Sequence, residues 1–201
     1  ADILTLDKLD DLALILEEQQ NPMKHISFEK DEMANESPFF ILFVTPRQWR
    51  ALWNSASEKK MQELMSRAMA RGRGFNHPVF KGDVIMWRNI LVRQYRKPVR
   101  FYAGDTVTVS NNDKLATTKQ VTAGTDIDRA ILLGGQALGN AYGKAESGTH
   151  FHMSTKKVDH DNGNETAIVW MNGCKKVRFA DREGRVNDYG TMVLDTAVTL
   201  Q

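Results

Sequence analysis

The chain has 201 residues, of which 41% are hydrophobic and 26% charged, and its net charge is +2. These are ordinary globular values, and they exclude wholesale disorder and low complexity. A single cysteine, Cys174, excludes an internal disulfide framework, and no apolar run approaches the roughly 18 residues of a membrane span.

The N-terminus, Ala1-Asp2-Ile3-Leu4, has neither the basic region of a signal peptide nor an initiator methionine, so a processed product or a fragment is expected. A first helix is predicted from Thr5, an N-cap, through Leu6, Leu9, Leu12, Ala13 and Leu16, and Asn21-Pro22 ends it. A polar stretch runs from Phe28 to Ser37. The unbroken apolar run Phe39–Val44 predicts a strand buried on both faces. Thr45, Pro46 and Gln48 then spell a capping box with proline at the first helical position. Trp49 and Trp53 share one face of that helix and are expected to be core or subunit contacts. Ser57 caps a further helix with the stripe Met61, Leu64, Met65, Ala68 and Met69, ended by Gly72 and Gly74.

The remainder reads mainly as strands. Val84–Met86 and Ile90–Val92 flank a turn at Arg88-Asn89, and Val99–Tyr102 and Val107–Val109 follow. Residues 110–126 read as a long loop, Ala130–Leu133 as a short strand, and Gln136–Tyr142 as a helix-like segment after Gly134-Gly135. Asn172-Gly173 is the preferred sequence of a type I′ hairpin turn, here joining 166–171 to 174–179. That register gathers Ile168, Trp170, Val177 and Phe179 on one face. Asn162-Gly163 is a second hairpin signal, so 151–179 is expected to be a three-stranded antiparallel meander. Met192–Leu200 supplies the last strand. The fold class is α+β.

Charge is polarised along the chain. Residues 1–36 carry ten acids, among them Asp7, Asp10 and Asp11, against three lysines. Residues 67–100 carry nine bases (Arg67, Arg71, Arg73, Lys81, Arg88, Arg93, Arg96, Lys97 and Arg100) against Asp83 alone. Such polarity steers association with a partner of opposite sign, either nucleic acid or another copy. Two solvated faces of one fold are the plain alternative. The aromatics within the basic segment (Phe75, Phe80, Trp87, Tyr95 and Phe101) would suit a nucleic-acid-binding domain, but inside strand-like runs they are expected to pack inward.

Catalytic chemistry has little footing. His150 and His152 alternate on one strand, with His160 across a turn between Asp159 and Asp161, which makes these histidines weak candidates for a divalent metal. An Asx-rich hairpin turn is the preferred reading of that stretch. Gly134–Gly139 lacks the Lys-Ser/Thr pair of a phosphate loop. Cys174, beside Lys175 and Lys176, has no partnering signature. No catalytic residue, metal or cofactor is expected.

The segment Phe39–Trp49 resembles a stretch of the tailed-bacteriophage major capsid proteins grouped with the coat protein of coliphage N-four. Further stretches similar to that family follow in its order: Gly74–Gly82, Trp87–Val92, Val109–Asp113, Ile127–Gly134, Trp170–Gly173 and Val177–Asp181. The resemblance implies the Hong Kong 97 coat-protein fold and covers only its C-terminal half. Residues 1–144 would form the axial domain, a mixed sheet with flanking helices. The meander within 145–184 would supply peripheral-domain strands, and 185–201 would close the axial domain. The implied function is structural: a bacteriophage or prophage capsid subunit that self-associates into capsomeres and encloses DNA without specific binding. Other copies are the implied partners, with scaffolding, portal or decoration proteins besides and no membrane. The implied location is the virion capsid, assembled in the bacterial host cytoplasm. Head-to-tail rings need two complementary patches per subunit. Arg67, Arg71, Arg73, Lys81, Arg88, Asp7, Asp10 and Asp11 are the expected interface residues. Thr45, Pro46, Gln48, Trp49, Asn172 and Gly173 are the expected structural ones.

Overall fold

The computed structural model describes residues 2–19, 22–28, 38–73, 77–97, 99–109, 117–121, 124–144, 151–180 and 186–198. In chain order its elements are α1 (Leu6–Glu18), β1 (Phe40–Val44), α2 (Pro46–Asn54), α3 (Glu58–Gly72) and a 3-10 turn at Pro78–Phe80. There follow β2 (Val84–Trp87), β3 (Ile90–Gln94), β4 (Val99–Phe101), β5 (Thr106–Val109), β6 (Thr117–Gln120), β7 (Asp126–Leu133) and β8 (Leu138–Tyr142). Last come β9 (Phe151–Val158), β10 (Gly163–Trp170), β11 (Asn172–Lys176), β12 (Arg178–Ala180), β13 (Val186–Asp188) and β14 (Thr191–Val198). Asn21, Gly74, Phe75 and all of 110–116 and 145–150, including His150, where some sequence expectations fall, lie outside the described residues.

The chain divides into two compact units, Ala1–Ala137 with Arg178–Gln201, and Leu138–Val177. The first is built on a mixed sheet ordered β14-β7-β1-β3-β2, with β4 also paired to β7. The central strand β1 runs parallel to β3 and antiparallel to β7. That position explains its apolar run, since a strand flanked and covered on both faces has no polar side to show. One face carries Phe40, Leu42, Val44, Ile90, Val92, Ala130 and Leu132 against Leu9, Leu12, Leu16, Leu52, Met61 and Leu64 of the helices. The other packs Phe39, Ile41, Leu91 and Met86 with Ala68 and Phe80.

Local chemistry sets the helix starts. The Thr5 hydroxyl accepts from the Lys8 N–H at 3.4 Å, and Ser57 does the same for Lys60. Thr45 and Gln48 form the complete capping box: Gln48 N–H donates to Thr45 Oγ1 at 3.2 Å, and Thr45 N–H to Gln48 Oε1 at 3.0 Å. Trp49 and Trp53 are half-buried against the core.

The second unit corrects several expectations. Asn172-Gly173 is not a hairpin turn: both residues lie in β11, which pairs antiparallel with β8, Asn172 opposite Tyr142 and Gly173 opposite Ala141. A type I′ turn needs positive φ at both central residues, and neither has it. The reason is competition between partners. β10 is already paired along its whole length with β9, from Gly163↔Val158 to Trp170↔Phe151, and a five-residue ladder on β8 outweighs a two-residue turn preference. There is therefore no three-stranded meander but two separate ribbons, β9–β10 and β8–β11. The face shared by Trp170 and Ile168 carries Phe151 and Met153, not Val177 and Phe179. The expected helix-like segment 136–142 contains strand β8 instead, and Thr117–Gln120, expected to be loop, pairs with β5. The hairpin at 159–162 does form. Asp159, His160 and Asp161 all have positive φ, and Asn162 N–H donates to Asp159 O at 2.9 Å.

Candidate functional site

The first unit holds a buried polar node where α2, β7, β4 and β14 meet. Alternation along β7 turns Asp126, Asp128, Ala130 and Leu132 inward, so the strand that supplies core apolar residues also drives a carboxylate beneath α2. Asp128 is fully buried. Arg100 of β4 grips it through two donors, Nε to Oδ1 at 2.5 Å and Nη2 to Oδ2 at 2.8 Å. Thr45 donates its hydroxyl to Asp128 Oδ2 at 2.6 Å. Gln48 donates from Nε2 to the Asp128 carbonyl and to Thr196 Oγ1, both at 2.8 Å. Burial pushes the Asp128 carboxyl up. The hydrogen bonds from Arg100 and Thr45, with the charges of Arg100 and Arg47, outweigh that and hold it below the ordinary carboxylate value. The same bond raises the Arg100 guanidinium. Both Asp128 carboxylate oxygens and its carbonyl accept from Arg100, Thr45 or Gln48, so the node ties the start of α2 to β7, β4 and β14.

Beside the node lies a groove of about 590 Å³ between the segment that leads into α1, α2 and the end of β14. Ile3, Leu6, Ala51 and Val198 contribute apolar lining, and Arg47, Arg50 and Asp7 are its charged residues. The strongest candidate functional features of this chain are thus surfaces.

The residues expected to carry those surfaces differ in how far their charge is available. Asp10 and Arg88, both expected at a contact between copies, bind each other within one chain at 2.8 Å, and Trp87 Nε1 donates to the same carboxylate at 2.9 Å. Arg67 pairs with Glu63 one helical turn away at 2.6 Å. Arg71 presents no surface charge: it is 7% exposed, with its guanidinium 5.2 Å from the centre of the Phe39 ring. Arg73, Lys81, Asp7 and Asp11 are exposed. Arg93 donates to the Pro78 carbonyl, and Arg100 belongs to the buried node. The basic segment 67–100 is therefore not one open basic face. Of its aromatics, Phe80 is buried, Phe101 lies beneath Arg129 and Trp87 beneath Lys60, Tyr95 is exposed, and Phe75 lies outside the described residues.

His152 on β9 and His160 at the hairpin tip do not converge. Six strand residues, roughly 20 Å at about 3.3 Å each, separate them. No cluster of three metal-ligating side chains occurs among the described residues. Sequence reasoning missed Asp128, Arg100 and Thr196, which sit in ordinary strand patterns. A charged residue at an inward position of an alternating strand was the one available signal.

A family model described as phage capsid protein matches residues 1–200. No curated protein matches the chain. Among solved structures it is similar to the capsid of Ralstonia phage GP4, with 21% identity and a TM-score of 0.62 over 98% of this chain and 48% of that one. It is also similar to the head structure of Helicobacter pylori bacteriophage KHP40, with 14% identity and a TM-score of 0.56 over 99% of this chain and 59% of that one. The acidic stable capsid of Helicobacter pylori bacteriophage KHP30 matches at 14% identity and a TM-score of 0.54, over 98% and 60%. At these identities the likeness is one of fold. The chain spans about half the length of the Ralstonia phage chain.

Proposed function

The chain belongs to the phage capsid protein family, and from that premise we propose that it is a structural subunit of a phage or prophage capsid. The observation that carries this reading is the family match across residues 1–200. Its work is association with copies of itself into a shell around packaged DNA, assembled in the host cytoplasm. Scaffolding, portal and decoration proteins are its further partners, and it has no catalytic step. The polar node that ties α2 to three strands through Asp128 supports a structural role.

The finer fold reading is a Hong Kong 97-type axial domain built from 1–144 and 185–201, with peripheral-domain strands in 145–184. Support comes from the mixed α+β sheet with its flanking helices, and from the separation of Leu138–Val177 as a compact unit. The nucleic-acid-binding alternative is weakened because Arg67 and Arg88 are paired within the chain, Arg71 is buried and Arg100 is held by Asp128.

The test is particle composition. DNA-filled particles purified from the source phage or induced lysogen are expected to contain peptides of this chain at the abundance of a shell protein. Their absence from purified particles overturns the reading.

A further inference from the structure

Two helices in this chain are charged against their own dipoles. The last turn of α1 carries Glu17 and Glu18 and no base, where a helix C-terminus favours cations. The first turn of α2 carries Arg47 and no acid, where an N-terminus favours anions. Arg47 is partly offset by the field of Asp128. Nothing among the described residues forms an ion pair with Asp11, Glu18, Arg47 or Arg50.

The exposed side of α1 has a second peculiarity. Asp11 stands three and four residues before Leu14 and Ile15, and Glu18 four and three after them, so the two acids flank the aliphatic pair on the outward side. Leu14 is 51% and Ile15 50% exposed, although the same helix buries a full apolar face of Leu9, Leu12, Ala13 and Leu16. Two large aliphatic side chains rimmed by acids on a water-facing helix have the anatomy of a contact patch. The groove by α2 is its complement: an apolar lining with Arg47 and Arg50, net positive by one after Asp7 is subtracted.

We propose that Leu14 and Ile15 of one copy seat in the groove between α1, α2 and β14 of a second copy, where Arg47 and Arg50 meet the neighbour's Asp11 and Glu18. The contact is head-to-tail, because donor stripe and acceptor groove are different surfaces of the same subunit. Glu18 lies about 16 Å along the helix axis from Asp7 at the groove, at 1.5 Å per residue. Heterologous contacts of this kind close into rings or continue as filaments. The inference rests on the capsid-subunit reading and names the surfaces that subunit uses.

The test is sedimentation velocity of the purified chain in about 0.15 M salt, at concentrations up to about 1 mM. Glu18→Arg and Arg50→Glu are each expected to weaken self-association roughly fivefold, the size of one exposed ion pair. Combining them in one chain, or mixing the two single variants, is expected to restore it. Leu14→Asp is expected to weaken association at least about tenfold. Circular dichroism and urea unfolding of all variants should match the parent chain, since all three sites are exposed. A chain that stays monomeric at the highest concentration overturns the proposal, as do reversals without effect or a double variant that does not recover. Those outcomes leave the capsid reading standing wherever peptides of the chain are found in particles, and absence from particles fails that reading separately.

Discussion

Asp128 shows how one buried carboxylate organises several elements. It is completely buried, yet Arg100, Thr45 and the backbone link to Gln48 leave none of its oxygens without a donor. Breaking a buried pair strands the remaining charge, so Asp128→Asn is expected to destabilise the fold by about 3 kcal/mol in urea unfolding. The pH dependence follows from the lowered carboxyl. A group whose folded value lies below its unfolded one stabilises fully above the unfolded value, about 4. That contribution is lost as pH falls from there through the folded value. Wild type is therefore expected to lose stability across that acid window, and Asp128→Asn to lose less over the same range. Two glycines make an opposed pair. Gly190 has φ +72°, and a Cβ there would stand 2.9 Å from the Ala137 backbone. Gly190→Ala is expected to cost about 1–3 kcal/mol. A Cβ on Gly173 would meet nothing within 4 Å, in a strand of ordinary φ. Gly173→Val is expected to stay within about 1 kcal/mol of wild type, where a type I′ turn would have made the same change costly. Urea midpoints of the two variants check both statements.

At the scale of elements, the two ribbons of Leu138–Val177 differ in kind from the central sheet. β9 and β10 expose Phe151, Met153, Ile168 and Trp170 on one face, each more than half accessible, and a two-stranded ribbon without a core is marginal alone. β1 and β7 lie between other strands and under helices. Hydrogen exchange read by mass spectrometry is expected to show amides of β9–β10 and β8–β11 exchanging faster than those of β1 and β7. Equal protection would mean that the ribbons are held by more than their own ladders. The helices were legible because their signals are local: Thr5, Thr45 with Gln48, and Ser57 each cap within three residues. The strand β1 was legible because six apolar residues without alternation admit few other placements. The strand β11 was not, since Asn172-Gly173 carries a genuine turn preference and its partner, β8, lies 34 residues upstream by first residues, 172 less 138. A pairwise choice between distant strands leaves no trace in either one's own sequence.

The whole molecule divides into a sheet-and-helix unit with a buried core and a ribbon unit whose strands are largely exposed. The proposed contact between copies joins an apolar stripe to exposed charges, Asp11 and Glu18 against Arg47 and Arg50. Raised salt is accordingly expected to weaken self-association of the chain, because exposed pairs are screened within about 8–10 Å at physiological ionic strength. Association measured from about 0.05 to 0.5 M salt checks this, and insensitivity would assign the contact to the apolar stripe alone. The sequence by itself determined the α+β class, the three capped helices, the central buried strand and the β2–β3 turn, because caps, turns and unbroken apolar runs act between neighbours in the chain. Its segment-by-segment similarity also carried the family. Only the tertiary structure decided which charges remain available. Asp10 and Arg88 neutralise each other across 78 positions, Arg71 lies against Phe39, and Arg100 is spent on Asp128. A charge run counts residues without knowing their partners. Burial and pairing depend on which strand lies beside which, and that is settled by the packing of the whole sheet.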